Sequence, residues 1–347
     1  MENFIFSLNA TVPIFLVMVL GWFLMQIKFF NKEFVDVADK YVFKVALPVL
    51  LFKDIATADI RSDFDLKFVL FCMFVTIISF LIIWLLSYIF IKEKASVGAF
   101  VQASARGSSA VLGIAFINNI YGDSGMAPLL IVSAVPFYNI LSVVVLTFCA
   151  DLGKDKTINT DDKYNFSGKA GKENSVKGSS VKIHNSGKGM SNIKKACINV
   201  AKNPIILGIL AGLLVSLPGI KIPEIPMKAV TNVAQTATPV ALLVVGASFE
   251  GAKAIKKIKL TVIATFIKLI ALPLIFIPVA ILFGFTGSEL MAILIMLGAP
   301  TTVACYVMAK NMGNDEVLTS SVVVLATLLS SVTLTAWIYI LKVLGFI

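Results

Sequence analysis

Ten runs of mostly apolar residues, joined by short polar turns and one long hydrophilic stretch, dominate this chain of 347 residues. An α-helix needs about 20 apolar residues to cross a bilayer. The runs fall near 4–27, 34–55, 66–91, 97–121, 125–150, 204–218 (led in by 193–203), 224–249, 257–283, 289–311 and 316–344. Composition agrees, with 58% hydrophobic and only 14% charged residues. An ordinary soluble enzyme sits nearer 45–50% apolar and about 25% charged. A disordered chain and a secreted disulfide scaffold are excluded on the same grounds. The expected fold class is an all-α polytopic membrane protein of ten transmembrane helices.

Residues 152–192 are rich in Lys, Gly, Ser and Asn and have almost no apolar periodicity. Such a stretch cannot bury a core and reads as a tether. It divides the chain into 1–151, the loop 152–192, and 193–347. The net charge of +10 is not a nucleic-acid signal, because the lysines report topology. Eleven lie between Lys154 and Lys202, four between Lys253 and Lys259, with Lys28, Lys32, Lys92, Lys94 and Lys310 on the same side. The opposite side holds little beyond Lys53, Arg61, Lys67, Lys221 and Lys228. The first side is therefore expected in the cytoplasm with the 152–192 loop, both termini facing out, in a plasma or inner membrane. Met1-Glu2-Asn3 lacks a basic leader region, so the first run is expected in the mature fold. Cys72, Cys149, Cys197 and Cys305 form no CxxC, and the single His184 lies in the loop. No metal or other cofactor is expected.

Pairing residue i with i+191 aligns Pro13 with Pro204, Gly21 with Gly212, Pro48 with Pro239, Gly107 with Gly298 and Gly122 with Gly313. Each pair falls at the same place in matching runs, so runs one to five map onto six to ten. Five is odd, so the second copy enters from the opposite face, as in the inverted repeats of secondary transporters.

Such proteins place their sites near the midplane, where helices break. The runs broken at matching points are the fourth, with Arg106, Gly107, Ser108, Ser109 and Gly113, and the ninth, with Ala299, Pro300, Thr301 and Thr302. Pro300 donates no backbone hydrogen bond and pushes Ala299 out of helical geometry. Freed amides and half-helix ends then favour an anion. Ser109-x-x-x-Gly113 also fits close helix packing. Arg106 and Lys268 lie deep in apolar runs, where a charge is costly and marks a functional site, although either could instead pair with backbone carbonyls. Asn139, beside Pro136, is a further candidate, ahead of Gln102, Asn232, Gln235 and Thr238. Runs three, four, five, eight, nine and ten carry no Asp or Glu away from their ends. Buried cations without such carboxylates point to an anionic substrate rather than a bound sodium ion or proton.

Val12-Pro13-Ile14-Phe15 with Leu20-Gly21, and Leu47-Pro48-Val49-Leu50-Leu51-Phe52, resemble stretches of the auxin efflux carrier family in its bacterial malate/malonate-permease-like branch. Arg106 to Gly113 followed by Tyr121-Gly122-Asp123 resembles the family's Arg-x-Asn-x-Gly-x-x-Gly-x-Pro crossover. Pro300 to Tyr306 followed by Gly313-Asn314-Asp315 resembles its partner. The likeness covers the chain except 152–192. It implies a fold like that of bile-acid symporters and sodium/proton antiporters, with broken helices four and nine crossing at the site. Spans 1, 2, 6 and 7 would form a scaffold and homodimer surface. Spans 3–5 and 8–10 would carry a small organic carboxylate by an elevator motion. Ser108 stands where the family often has Asn, and Ala115 where it has Pro. The rivals are a sodium-coupled symporter and a transporter-like receptor whose Lys-rich loop meets partners or anionic lipid. No HExxH, GxSxG or P-loop motif points to an enzyme.

Overall fold

The computed structural model describes residues 2–57, 65–108, 117, 126–161, 197–220 and 222–347. Its elements are helical throughout. The first run is α1 (Glu2–Gln26). The second run is interrupted: α2 (Lys32–Tyr41) passes through a π-turn (Val42–Ala46) into α3 (Leu47–Ala56). Pro48 sits at the start of α3 and has no amide proton to continue the i→i−4 ladder, which accounts for the wider turn before it. Next come α4 (Leu66–Phe90), α5 (Val97–Ala105), α6 (Ala127–Ser133) and α7 (Val135–Asp161). The second half of the chain holds α8 (Pro204–Ser216), α9 (Glu224–Ala247), α10 (Gly251–Lys256) and α11 (Ile258–Phe266). A second π-turn (Ile267–Ala271) leads into α12 (Leu272–Leu282), again just before a proline, Pro273. The Leu269 carbonyl, which the Pro273 amide cannot serve, accepts from Trp337 Nε1 at 3.1 Å. The chain ends with α13 (Gly287–Gly298), α14 (Ala304–Asn311) and α15 (Glu316–Val343).

Among the described residues, five stretches are long and apolar enough to cross a membrane: Leu66–Phe90, Leu129–Ala150, Glu224–Ala247, Ile258–Leu282 and Glu316–Val343. Thr11–Gln26, Pro204–Ser216 and Gly287–Gly298 are shorter apolar helices. Leu85, Phe90, Leu214 and Leu282 project outward with most of their surface exposed. In water such faces would drive association, whereas in lipid they are solvated.

Two apolar cores fill the molecule. The first gathers α4, α5, α11, α12, α13 and α15 with one side of α7. The second gathers α1, α2, α3, α8 and α9, together with α14 and the Val143–Leu146 face of α7. The second core closes at glycines that repeat with the same spacing. A side chain on Gly21 would run into the Leu243 backbone, and one on Gly212 would meet the Phe52 carbonyl and Ile55. Phe52 and Leu243 are themselves 191 residues apart, so two equivalent helix crossings are built from equivalent residues.

The loops assigned to one side by their lysines meet at one end of the molecule. Lys257 pairs with Glu93 at 2.5 Å and with Asp315 at 3.0 Å. Ser96 Oγ donates to Asp315 at 2.6 Å. Asp315 also caps α15, accepting from the Leu318 amide at 2.9 Å. Burial pushes the Asp315 carboxyl up, but Ser96, the Leu318 amide and Lys257 outweigh it and hold it below its ordinary value. Burial pulls Lys257 down, and its two acidic partners overcome that and raise it. At the other end, Lys67 stacks over Phe285, and the Gly287 amide donates to the Phe346 carbonyl at 2.8 Å.

Candidate functional site

Two helices break, and the breaks meet. Pro300 ends α13: Ala299 before it is extended (φ −64°, ψ 149°), and helix resumes only at Ala304. α5 ends at Ala105, and Arg106 after it is extended (φ −88°, ψ 125°). The two extended segments lie antiparallel at Gly107 and Thr301. The Ser108 amide donates to the Pro300 carbonyl at 2.9 Å. Thr301 Oγ1 donates to the Ala103 carbonyl at 2.6 Å, and Gln102 Nε2 to the Cys305 carbonyl at 2.7 Å. Each break thus supplies partners for backbone groups that the other has freed, as buried backbone in an apolar interior requires.

Beside this crossing lies a cavity of about 280 Å³ between the two cores. Arg106, Gly107 and Ser108 line it from the first break, and Thr302, Val303 and Ala304 from the second. Tyr138 and Asn139 of α7, Thr238 of α9 and the Lys53–Asp54 end of α3 complete its wall. Arg106 is 6% exposed, and its Nη1 lies 2.9 Å from the Met308 sulfur, a weak acceptor. Among the described residues no carboxylate pairs with it. The Asn139 amide nitrogen donates to the Val135 carbonyl at 2.9 Å. Lys53 and Asp54 approach to 3.4 Å.

Of the residues the sequence singles out, Arg106, Gly107, Ser108, Asn139 and Thr302 share this wall. Ala299, Pro300 and Thr301 form the crossing behind it. Lys268 is fully buried but lies off the wall, where its ammonium donates to the Met296 carbonyl at 3.1 Å and the Leu297 carbonyl at 2.7 Å. Ser109 and Gly113 lie outside the described residues. Tyr138 is a wall residue the sequence reading passes over. Its hydroxyl donates to the Met296 carbonyl at 3.1 Å, and a hydroxyl beside Asn139 in an apolar run was the available signal.

Membrane-length helices with apolar outer faces, packed around two shorter helices that end beside a cavity lined in part by polar side chains, define a polytopic membrane protein. Residues 6–338 match a family described as "Membrane transport protein", and the chain belongs to that family, that of the auxin efflux carriers; it is a membrane transporter. It is similar to the "Uncharacterized transporter YfdV" of Escherichia coli K12, at 25% identity over 343 residues, spanning 98% of this chain and 99% of that one. The proteins of the same description from Escherichia coli O157:H7 and Shigella flexneri match to the same extent.

Proposed function

We propose that this transporter is a secondary carrier of a small organic carboxylate, working by elevator-type alternating access with its site at the crossing. The observation that carries the reading is Arg106: a buried guanidinium on a cavity wall, with no carboxylate paired to it among the described residues. A desolvated charge calls for a partner, and an anion entering the cavity is one. Ser108, Asn139 and Thr302 share the cavity wall and would hydrogen-bond it, and the cavity volume suits a small molecule rather than a bulky one. Ser109 and Gly113 would continue the first break, as the resemblance implies.

In this reading ten spans form two inverted repeats, 1–151 and 193–347. The matched glycine crossings support internal kinship of the helices. The second core supplies the scaffold and a homodimer surface, and the first core moves. Asp36–Lys310 at 2.9 Å and Asp39–Asn311 at 2.5 Å tie α2 to α14 at the end opposite Lys53–Asp54. They close the cytoplasmic side while the cavity reaches towards the other. Both termini face outward, and loop 152–192 lies in the cytoplasm of a cell with this protein in its plasma or inner membrane.

The test is charge movement in proteoliposomes on solid-supported membranes, challenged with mono- and dicarboxylates without sodium. Currents for some acids that vanish in Arg106→Ala support the reading. Currents that persist in Arg106→Ala overturn the site assignment, and a strict sodium requirement favours the rival sodium-coupled symporter.

A further inference from the structure

Lys268 sits where a helix has lost its own hydrogen bonds. The Met296 carbonyl would serve the amide four residues on, but that residue is Pro300, which has none. The chain leaves the helix at Ala299, so the Leu297 carbonyl has no following turn to serve either. Both oxygens lie at the carboxyl end of α13, where the helix dipole is negative. The Lys268 ammonium reaches both, and Tyr138 adds a second donor to Met296. The first break closes over the same nitrogen. A Cβ on Gly107 would lie 2.8 Å from Lys268 Nζ and 3.0 Å from its Cε, so a side chain there would push the ammonium aside. The lysine emerges from the π-turn that precedes Pro273, and a wider turn is a recurrent way to re-aim one side chain. No carboxylate pairs with it among the described residues. Arg106, Cys305 and Tyr138 are the other titratable side chains at the crossing, and none of them is a carboxylate.

We propose that Lys268 is a covalently attached cation that holds the crossing together: its ammonium occupies, between the two breaks, the position a bound monovalent cation would otherwise fill. The crossing then closes without taking up an ion from solution. Lys268 is a positioning residue here and makes no contact with substrate.

The purified full-length protein tests this through melting, followed by tryptophan fluorescence at fixed ionic strength in choline, sodium, methylammonium or ethylammonium chloride. The wild type is expected to melt at one temperature in all four. Lys268→Ala vacates a site lined by carbonyls. It is expected to melt about 5–10 °C lower in choline and to recover most of that, saturably, with sodium or either small amine. Lys268→Met fills the space without charge and is expected to melt low in every salt. Recovery of the alanine variant by sodium or an amine supports the proposal, and recovery by none overturns it. Should the alanine variant not survive purification in ethylammonium, the methionine variant decides: wild-type melting overturns the proposal, and low melting in all salts supports it. No substrate is needed, so this result is independent of the carboxylate reading.

Discussion

The two cores are packed in different ways. The first interlocks side chains: Phe71 meets Phe285 at 4.9 Å between ring centres, Phe68 meets the same ring edge-on at 6.1 Å, and Phe80 packs on Tyr138. Its glycines face side chains; a Cβ on Gly298 would find the Pro273 ring 3.3 Å away. The second core brings backbone against backbone, with Gly21 on Leu243 and Gly246 on Met18. Lipid gives helices no hydrophobic reason to associate, so close backbone approach and dispersion must do it. A core closed by backbone has one register, whereas a core closed by rotamers can adjust. In the proposed elevator reading, α1, α2, α3, α8 and α9 of the second core would be the fixed part, and the first core, carrying α14 with it, the mobile part, with the cavity on the seam. Helix nine belongs to both, since α13 lies in the first core and α14 in the second.

The largest effect expected along the seam is from Arg106→Ala. Removing one member of a buried charge pair costs about 2–5 kcal/mol, so carboxylate-evoked current should fall roughly 30-fold or more. Full retention would move the site away from the seam.

Whether α14 travels with the first core is decided by joining it to α2. Cysteines replacing Asp39 and Asn311, linked by a short bifunctional thiol reagent, should remove most of the transport activity and recover it if the linker is cleaved. Transport unaffected by the link would place α14 permanently with the second core.

The packing contrast itself predicts unequal glycine substitutions. Gly21→Ala forces α1 off α9 and should cost about 1–3 kcal/mol, as overpacking does. Gly298→Ala needs only a small shift of the Pro273 ring and should change the melting temperature far less. Equal losses would erase the distinction between the cores.

The smallest effect is at the polar end. Asp315 is held below its ordinary value, so its contribution is complete above about pH 4 and fades as the pH falls through its lowered value. Lys257 is raised, so its contribution is complete below about pH 10 and fades in stronger alkali. The contribution of this cluster to the melting temperature should therefore be flat between these limits. Asp315→Asn keeps the helix cap and should lower the melting point slightly at neutral pH while flattening the acid limb.

Much was legible in the residues alone. Hydropathy located the apolar runs, because a bilayer leaves little choice about where such runs lie. Pro300 announced the break in helix nine, because a missing amide proton is a local fact. Matching breaks in runs four and nine made Arg106 and Thr302 candidates for one site, and both line the cavity. Three things waited for the tertiary structure. Tyr138 joins the cavity only because α7 packs against α5, which lets its hydroxyl reach Met296 of α13. Lys268 was read as a substrate contact from its depth, yet depth carries no direction, and the π-turn aims its ammonium at Met296 and Leu297. Lys257, Glu93 and Asp315 lie far apart in the sequence and form one cluster. Sequence determines which groups are costly to bury, since that depends on each residue's own chemistry. Only the packed chain decides which partner meets that cost, because partners as far apart as Gln102 and Cys305 are neighbours in space alone.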